Sequence, residues 1–242
     1  LEESAASGRL TCRWNGHVDR LVPSDGHWQA LDRSGEVLGS APHAVIATAY
    51  GAFSLLEGPL GFSAETLPLR PVQGQLSIGP LEPPPLASRP VRQNGVFVPD
   101  YRDLGLAPEW PDRVWAMGST YERGRNDARV TVEAHERNAL SLDSMHPEAA
   151  ARMRQSLRDG SLKGWAQVRC ASLDRLPLVG AAPDVLAMMD AIRAKTPRRQ
   201  AADPSAWPRL PGLFLLTALG SRGLTLAHWC ARLLAPWMDH GE

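Results

Sequence analysis

The segment Gly212-Leu-Phe-Leu-Leu-Thr-Ala-Leu-Gly-Ser-Arg-Gly-Leu-Thr-Leu-Ala227 restricts the fold more than any other part of the sequence, because its hydrophobic period changes partway along. Leu213 to Leu216 is a continuous apolar run of strand type, whereas Leu224, Ala227, His228, Ala231 and Leu234 recur at helical spacing. The intervening Gly220-Ser-Arg-Gly223 is therefore a turn that feeds a helix N-terminus. Glycine there permits positive φ and close backbone approach, and the first N–H groups of the helix, with its dipole, favour a negative charge. Two readings stay open from these residues alone: an anion site built from backbone amides, or an ordinary tight turn with Arg222 facing solvent.

With 242 residues, 43% of them hydrophobic, the chain can bury a substantial core as one large domain or two small lobes. No apolar run reaches the roughly 18 residues that span a bilayer, and no charged-then-apolar leader opens the chain. The expectation is a protein without a membrane segment, in the cytoplasm. Cys12, Cys170 and Cys230 have no CxxC spacing, which points to small buried hydrophobes rather than a disulfide framework or a zinc site. A formal net charge of zero excludes a global basic field, so any nucleic-acid contact must come from a local patch. Arg152, Arg154, Arg158 and Lys163 form one such cluster, and Arg193, Lys195, Arg198 and Arg199 another. Each suits either phosphates or a solvated surface. The first residue is Leu1 rather than methionine, so the chain is expected to be a segment of something longer.

Short extended runs at Arg9–Trp14, His17–Val22, Trp28–Leu31 and Val37–Gly39, broken by Asn15-Gly16, Asp25-Gly26 and Ser34-Gly35, predict an antiparallel meander. Ala44–Ala49 reads as a buried strand, Pro71–Ile78 as another, and Pro80–Pro90 as a proline-rich loop. Gly95–Pro99 and Val114–Tyr121 are further extended segments. Thr131 precedes a helix and Pro147 opens a second one through about Leu157. Gly164–Ser172 alternates like a strand, Pro177–Gly180 is a shorter one, and a helix follows from Pro183 to about Arg193. The order predicts an α+β lobe inserted into part of an α/β lobe, with the outer lobe at 1–66 and 172–242 and the inserted one at 67–171.

The sequence contains no GxGxxG, Walker loop, HExxH or GxSxG, so the common nucleotide, metalloprotease and hydrolase signatures are missing. No metal site is expected. His228 falls on the last helix and reads as packed or capping. Arg169 is different: alternation puts it with Ala171 on one strand face, opposite Val168 and Cys170, in largely apolar company. A planar guanidinium so placed needs an anion. That anion is either the carboxylate of an amino-acid-like substrate or a structural partner such as Asp174.

Four segments carry a resemblance: Leu67-Pro-Leu-Arg-Pro-Val-Gln-Gly-Gln75, Gly118-Ser-Thr-Tyr-Glu-Arg-Gly124, Val168-Arg-Cys-Ala-Ser-Leu-Asp-Arg-Leu-Pro-Leu-Val-Gly180 and Ala218-Leu-Gly-Ser-Arg-Gly-Leu224. In this order they resemble the D-amino-acid-oxidase-like flavoenzymes, and among those the oxidase half of the bifunctional enzymes that make 5-methylaminomethyl-2-thiouridine in tRNA. The likeness runs from the Ala44 strand to the last helix. It implies an α+β fold with an incomplete α/β FAD-binding lobe and a substrate-binding lobe of antiparallel sheet plus helices. It further implies an FAD-dependent oxidase that removes the carboxymethyl group from 5-carboxymethylaminomethyl-2-thiouridine at the tRNA wobble position, leaving the 5-aminomethyl base.

Residue by residue, the resemblance makes Arg169 the clamp for the substrate carboxylate, with Tyr121 beside the substrate. Gly220, Ser221, Arg222, Gly223 and Leu224 would lie by the flavin ring, where amides stabilise charge developing on reduction. Gly74 and Gln75 would line the other side of the ring, and Ala47, Thr48 and Gly51 match the strand end that passes the dinucleotide. In the resembled enzymes a methyltransferase half using S-adenosylmethionine then methylates the amine, but no segment of these 242 residues corresponds to it. Gln73 stands where that family commonly has arginine, and the glycine-rich fingerprint for the FAD pyrophosphate is missing from the sequence. Weak or absent FAD binding by this chain alone is therefore expected, with little activity of its own. A glycine- or sarcosine-type amine oxidase and a non-catalytic tRNA-binding module remain as alternatives.

Overall fold

A computed structural model of the protein describes residues 8, 10–57, 60–102, 111–194 and 207–240. In chain order the first elements are β1 (Arg20–Ser24), β2 (His27–Leu31), β3 (Val37–Ala41), β4 (Ala44–Ile46), a single turn of 3-10 helix (Ala49–Gly51) and α1 (Ala52–Leu56). Then come β5 (Leu69–Pro80), β6 (Val91–Gln93), β7 (Gly95–Tyr101), β8 (Val114–Gly118), β9 (Glu122–Arg123), α2 (Val132–Asp143) and α3 (Pro147–Arg158). The last are β10 (Lys163–Ser172), β11 (Leu178–Pro183), α4 (Val185–Ala194), β12 (Arg209–Thr217) and α5 (Gly223–His240). The chain divides into two compact units, Leu1–Leu69 with Ser172–Glu242, and Arg70–Ala171.

In the first unit β1, β2 and β3 form an antiparallel meander. Its first hairpin turns at Asp25 and Gly26, both at positive φ (48° and 76°), the backbone that a tight two-residue turn requires. The run predicted at Arg9–Trp14 is not a strand over its described residues 10–14, and β1 starts only at Arg20. An extended run needs a neighbour to satisfy its amides; here Arg13 instead reaches the Leu38 carbonyl with its guanidinium (2.9 Å).

A second sheet in this unit has the order β11-β12-β4, with β11 antiparallel and β4 parallel to β12. Leu213, Phe214 and Leu215 are buried in its central strand. The strand predicted at Ala44–Ala49 ends at Ile46, because Ala49 takes a left-handed φ of 49° and its carbonyl accepts the Thr217 hydroxyl (2.9 Å). The Trp28 indole N–H, which donates to the Pro211 carbonyl (2.8 Å), ties the meander to β12. Helix α5 buries Cys230 and Leu234 while Trp229, Leu233 and Trp237 stay exposed. His228 is exposed as well, against the expectation of packing, because it lies off the Cys230–Leu234 face.

The second unit is built on a six-stranded sheet ordered β10-β5-β8-β7-β6, with β9 also on β5. Phe97, Trp115 and Met117 of β7 and β8 pack with Ala139 and Leu142 of α2 and Ala149, Ala150 and Met153 of α3. Helical spacing brings Ala134, His135, Asn138, Ala139 and Leu142 to one buried face of α2. Both helices have side-chain N-caps: Thr131 accepts from the Ala134 amide (3.3 Å), and His146 Nδ1 accepts from the Ala149 amide (3.3 Å) ahead of Pro147. Since His146 Nδ1 accepts, the ring proton sits on Nε2 and is donated to the Leu86 carbonyl (2.9 Å). Thr131→Ala is expected to cost about 1 kcal/mol of unfolding free energy, measured as a lowered urea midpoint; an unchanged midpoint would dismiss the cap.

Two of the four members of the first predicted basic cluster are paired with carboxylates where they stand. Arg152 pairs with Glu82 (3.6 Å), Arg154 with Asp143 (3.0 Å), and Arg158 donates to Gln155 (2.7 Å). In the second cluster Arg193 meets Asp190 (3.4 Å), and Lys195, Arg198 and Arg199 lie outside the described residues. Cys170 and Cys230 are buried, while Cys12 is half-buried. No helix among the described residues is long and apolar enough to cross a membrane.

Candidate functional site

Strand alternation turns Ala166, Cys170 and Ser172 of β10 inward and leaves Arg169 on the opposite face. The Arg169 guanidinium lies over Gly74 of β5, so close that a Cβ at residue 74 would overlap it. Its Nη2 donates to the Ser119 hydroxyl, in the loop just after β8, whereas Nη1 is buried without an acceptor. Burial holds the guanidinium below its ordinary pKa, with Tyr121 pulling the other way. A buried cationic donor left unmatched is costly, on the order of 1–3 kcal/mol or more. Tyr121 itself is 53% exposed, and the Arg123 guanidinium stands 5.8 Å from its ring centre. Asp174, the alternative partner for Arg169, accepts from the Ser172 hydroxyl (2.8 Å) and the Leu176 amide (3.0 Å).

Beneath Gly74 runs a layer of buried polar groups. Gln75 is fully buried: its carboxamide donates to the Thr131 carbonyl (2.9 Å) and accepts from the Thr131 amide (2.8 Å), pinning the start of α2 to β5. The Gln75 backbone amide donates to the Thr120 hydroxyl (3.0 Å), and Asn138 of α2 donates to the Gln75 carbonyl (3.0 Å) and the Ser77 hydroxyl (3.0 Å). Ser77 also hydrogen-bonds His135 Nδ1 (2.7 Å). Both ends of the Gln75 amide are committed to Thr131, so its side chain positions β5 against the start of α2. Gln73 donates to the Arg129 carbonyl (3.2 Å) while its Oε1 is buried without a donor.

Burial lowers the His135 pKa below the usual 6.5. The unfolded chain then takes up the proton first, so the stability tied to the neutral ring is complete above pH 6.5 and is lost as pH falls through the folded-state value. The urea midpoint is expected to decline on acidification below that pH, by at most about 1.4 kcal/mol per pH unit from this group. His135→Gln should flatten that decline; an identical slope in the variant would remove His135 from the account.

The remaining predicted residues gather in the first unit at one edge of its sheet. Because β4 and β12 are parallel, with Ile46 opposite Leu215, the segments that follow them emerge together. Ala47, Thr48 and Gly51 follow β4 and are exposed. Gly220, Ser221, Arg222, Gly223 and Leu224 follow β12. Ligands of open α/β sheets collect at such carboxyl edges. Gly220 has φ 59°, and neither it nor Gly223 has an atom within 4 Å of where a Cβ would stand. The Arg222 amide donates to the Leu219 carbonyl (3.1 Å), and its side chain, which is exposed, donates to the Arg175 carbonyl. Gly223 and Leu224, the first residues of α5, have no intrahelical acceptor for their N–H groups.

Sequence reasoning named Tyr121 from the 118–124 segment but passed over Ser119. A hydroxyl just past a strand end was the available signal. Ser77, Thr120, His135 and Asn138 carried none, because their partners are up to 63 residues away.

A profile of the family described as "FAD dependent oxidoreductase" matches residues 1–237. The chain is 34% identical, over 241 residues, to the tRNA 5-methylaminomethyl-2-thiouridine biosynthesis bifunctional protein MnmC of Paracidovorax citrulli, covering 93% of this chain and 32% of that protein. The protein of the same name from Verminephrobacter eiseniae is 37% identical over 248 residues, covering 92% of this chain and 35% of its own length. The chain thus spans about a third of the length of these relatives. Among solved structures, iminodiacetate oxidase from Chelativorans sp. BNC1 superposes with a TM-score of 0.64 at 20% identity, over 99% of this chain and 53% of that one. Glycine oxidase from Geobacillus kaustophilus gives 0.59 at 19%, over 93% and 48%. At such identities the likeness is one of fold.

Proposed function

Since this chain belongs to the FAD-dependent oxidoreductase family and has the D-amino-acid-oxidase-like fold, we propose that it is the oxidase part of a tRNA wobble-uridine-modifying enzyme. The substrate is 5-carboxymethylaminomethyl-2-thiouridine and the products are the 5-aminomethyl base and glyoxylate. One observation carries this reading: the Arg169 guanidinium, held over Gly74 with a buried N–H that has no acceptor. A carboxylate fits that fork through charge-assisted hydrogen bonds. The names of the curated relatives supply the choice of tRNA over a free amino acid.

The carboxyl-edge turn suits the ring end of FAD. Open space beside Gly220 and Gly223 and the unbonded amides at the tip of α5 offer positive potential to an electron-rich ring, and Ala47, Thr48 and Gly51 border the same edge. In the Arg70–Ala171 unit, Gln75 fixes the strand that carries Gly74. The glycine-rich pyrophosphate fingerprint is not among these residues. FAD, when bound, supplies the two-electron acceptor for a hydride from the substrate methylene. The chain's own part is to clamp the carboxylate on Arg169, to wall the substrate with Tyr121 and to orient that methylene. Loss of the hydride and of the amine proton leaves a carbon–nitrogen double bond, which water splits into the primary amine and glyoxylate. A methyltransferase activity using S-adenosylmethionine is the proposed consumer of that amine.

The complete gene product, supplied with FAD and tRNA bearing the carboxymethylaminomethyl base, is expected to release one glyoxylate per base converted, read by nucleoside mass spectrometry. Oxidation of free glycine or sarcosine alone would instead identify a small-molecule amine oxidase. Salt-sensitive tRNA retention without turnover would identify a binding module. The 242-residue chain by itself is expected to purify without stoichiometric flavin absorbance, and a fully yellow preparation would contradict that.

A further inference from the structure

The geometry points to Ser119 as a binding residue for the substrate carboxylate, which it meets with its own O–H while Arg169 supplies charge from behind; this rests on the clamp reading above. A hydroxyl has one proton to give, and Ser119 Oγ already accepts from Arg169 Nη2. Its proton is therefore left over, and no acceptor for it is found among the described residues. Access separates the two donors. Arg169 Nη1 is buried beside Gly74, whereas Ser119 is only half-buried, so an arriving carboxylate reaches the hydroxyl first and the guanidinium after it.

The guanidinium strengthens that donor. A hydroxyl that accepts from a cation is polarised toward giving up its own proton, and in a poorly hydrated site the chained bonds reinforce one another. The loop holding Ser119 is well anchored for such a task. The neighbouring Thr120 takes a hydrogen bond from the Gln75 amide (3.0 Å) through its hydroxyl, and its own amide donates to the Gln75 carbonyl (3.2 Å). Ser119 is thus fixed to the same strand that presents Gly74. The ligand class that follows is an N-substituted glycine, whose carboxylate is small, planar and able to accept from a hydroxyl and a guanidinium together.

The test uses the 242-residue chain and acetate as probe, followed by NMR titration, so that no flavin or turnover is required. Ser119→Thr and Ser119→Val differ by a hydroxyl against a methyl of equal size. Acetate affinity is expected to stay within about twofold in the Thr variant and to fall roughly tenfold in the Val variant, the loss of one hydrogen bond to a charged group. Arg169→Ala should abolish binding. Equal affinity of the Thr and Val variants, with Arg169→Ala still inactive, would overturn the role of Ser119 and leave the clamp standing. Acetate binding that survives Arg169→Ala, or no binding by the unaltered chain, would overturn both. Should the Val variant fail to fold, by circular dichroism, Ser119→Ala takes its place with the same expected loss.

Discussion

Arg169→Met is expected to destroy carboxylate recognition and, at the same time, to make the protein harder to unfold. Two charge-assisted hydrogen bonds to a carboxylate are worth roughly 3 kcal/mol together, so kcat/KM for the carboxymethylamino substrate should fall by about a hundredfold or more. In the free protein the same guanidinium has one hydrogen bond to Ser119 and a buried Nη1 without an acceptor. A methionine of similar reach removes that unmatched donor and keeps contact with the strand. The urea midpoint should therefore rise, by about 1 kcal/mol in unfolding free energy. A structural arginine behaves oppositely, losing stability while the chemistry persists. A lowered midpoint with unchanged kinetics would retire the clamp.

Gly74→Ala should reproduce the functional loss without touching the charge. The φ of residue 74 is not positive, so alanine meets no backbone penalty, but its Cβ occupies the space where the Arg169 guanidinium lies. What has to move is the far end of a flexible side chain, so unfolding free energy should change by no more than about 1 kcal/mol. The guanidinium, displaced from the strand and from Ser119, can no longer present its fork in place, and substrate affinity is expected to fall about tenfold or more. Combining Gly74→Ala with Arg169→Met should add little to Arg169→Met alone, since both act on one group. Full additivity in that cycle would show that Gly74 serves something other than the arginine.

What could be read from the sequence was local. Thr131 and Pro147 announced the two helices because caps act within one turn, and the alternation around Arg169 gave its strand face because the pleat has period two. Ala218 to Leu224 showed its turn through the change of hydrophobic period on either side of its glycines. The failures share a cause. Residues 10–14 have the composition of a strand but no strand partner among the described residues, and composition does not report neighbours. The tie of the Gln75 amide to Thr131, 56 residues later, left no local trace. His228 shares the helical period of α5 but not its buried side. Periodicity encodes which face a residue takes, and only the assembled chain decides what that face meets.

The polar layer under the sheet has one more effect, on alignment during folding. Gln73, Gln75 and Ser77 alternate along β5 with Val72, Gly74, Leu76 and Ile78, and they find their partners on Arg129, Thr131, His135 and Asn138. If β5 slid past β8 by a single residue, those three polar groups would swap sides with their apolar neighbours, stranding amides in hydrocarbon and placing branched side chains against unfulfilled donors. An all-apolar strand would tolerate such a mistake far more easily. The hydrogen bonds thus work as a key that admits one alignment, and the place of residue 74 beneath the arginine is settled when that key turns.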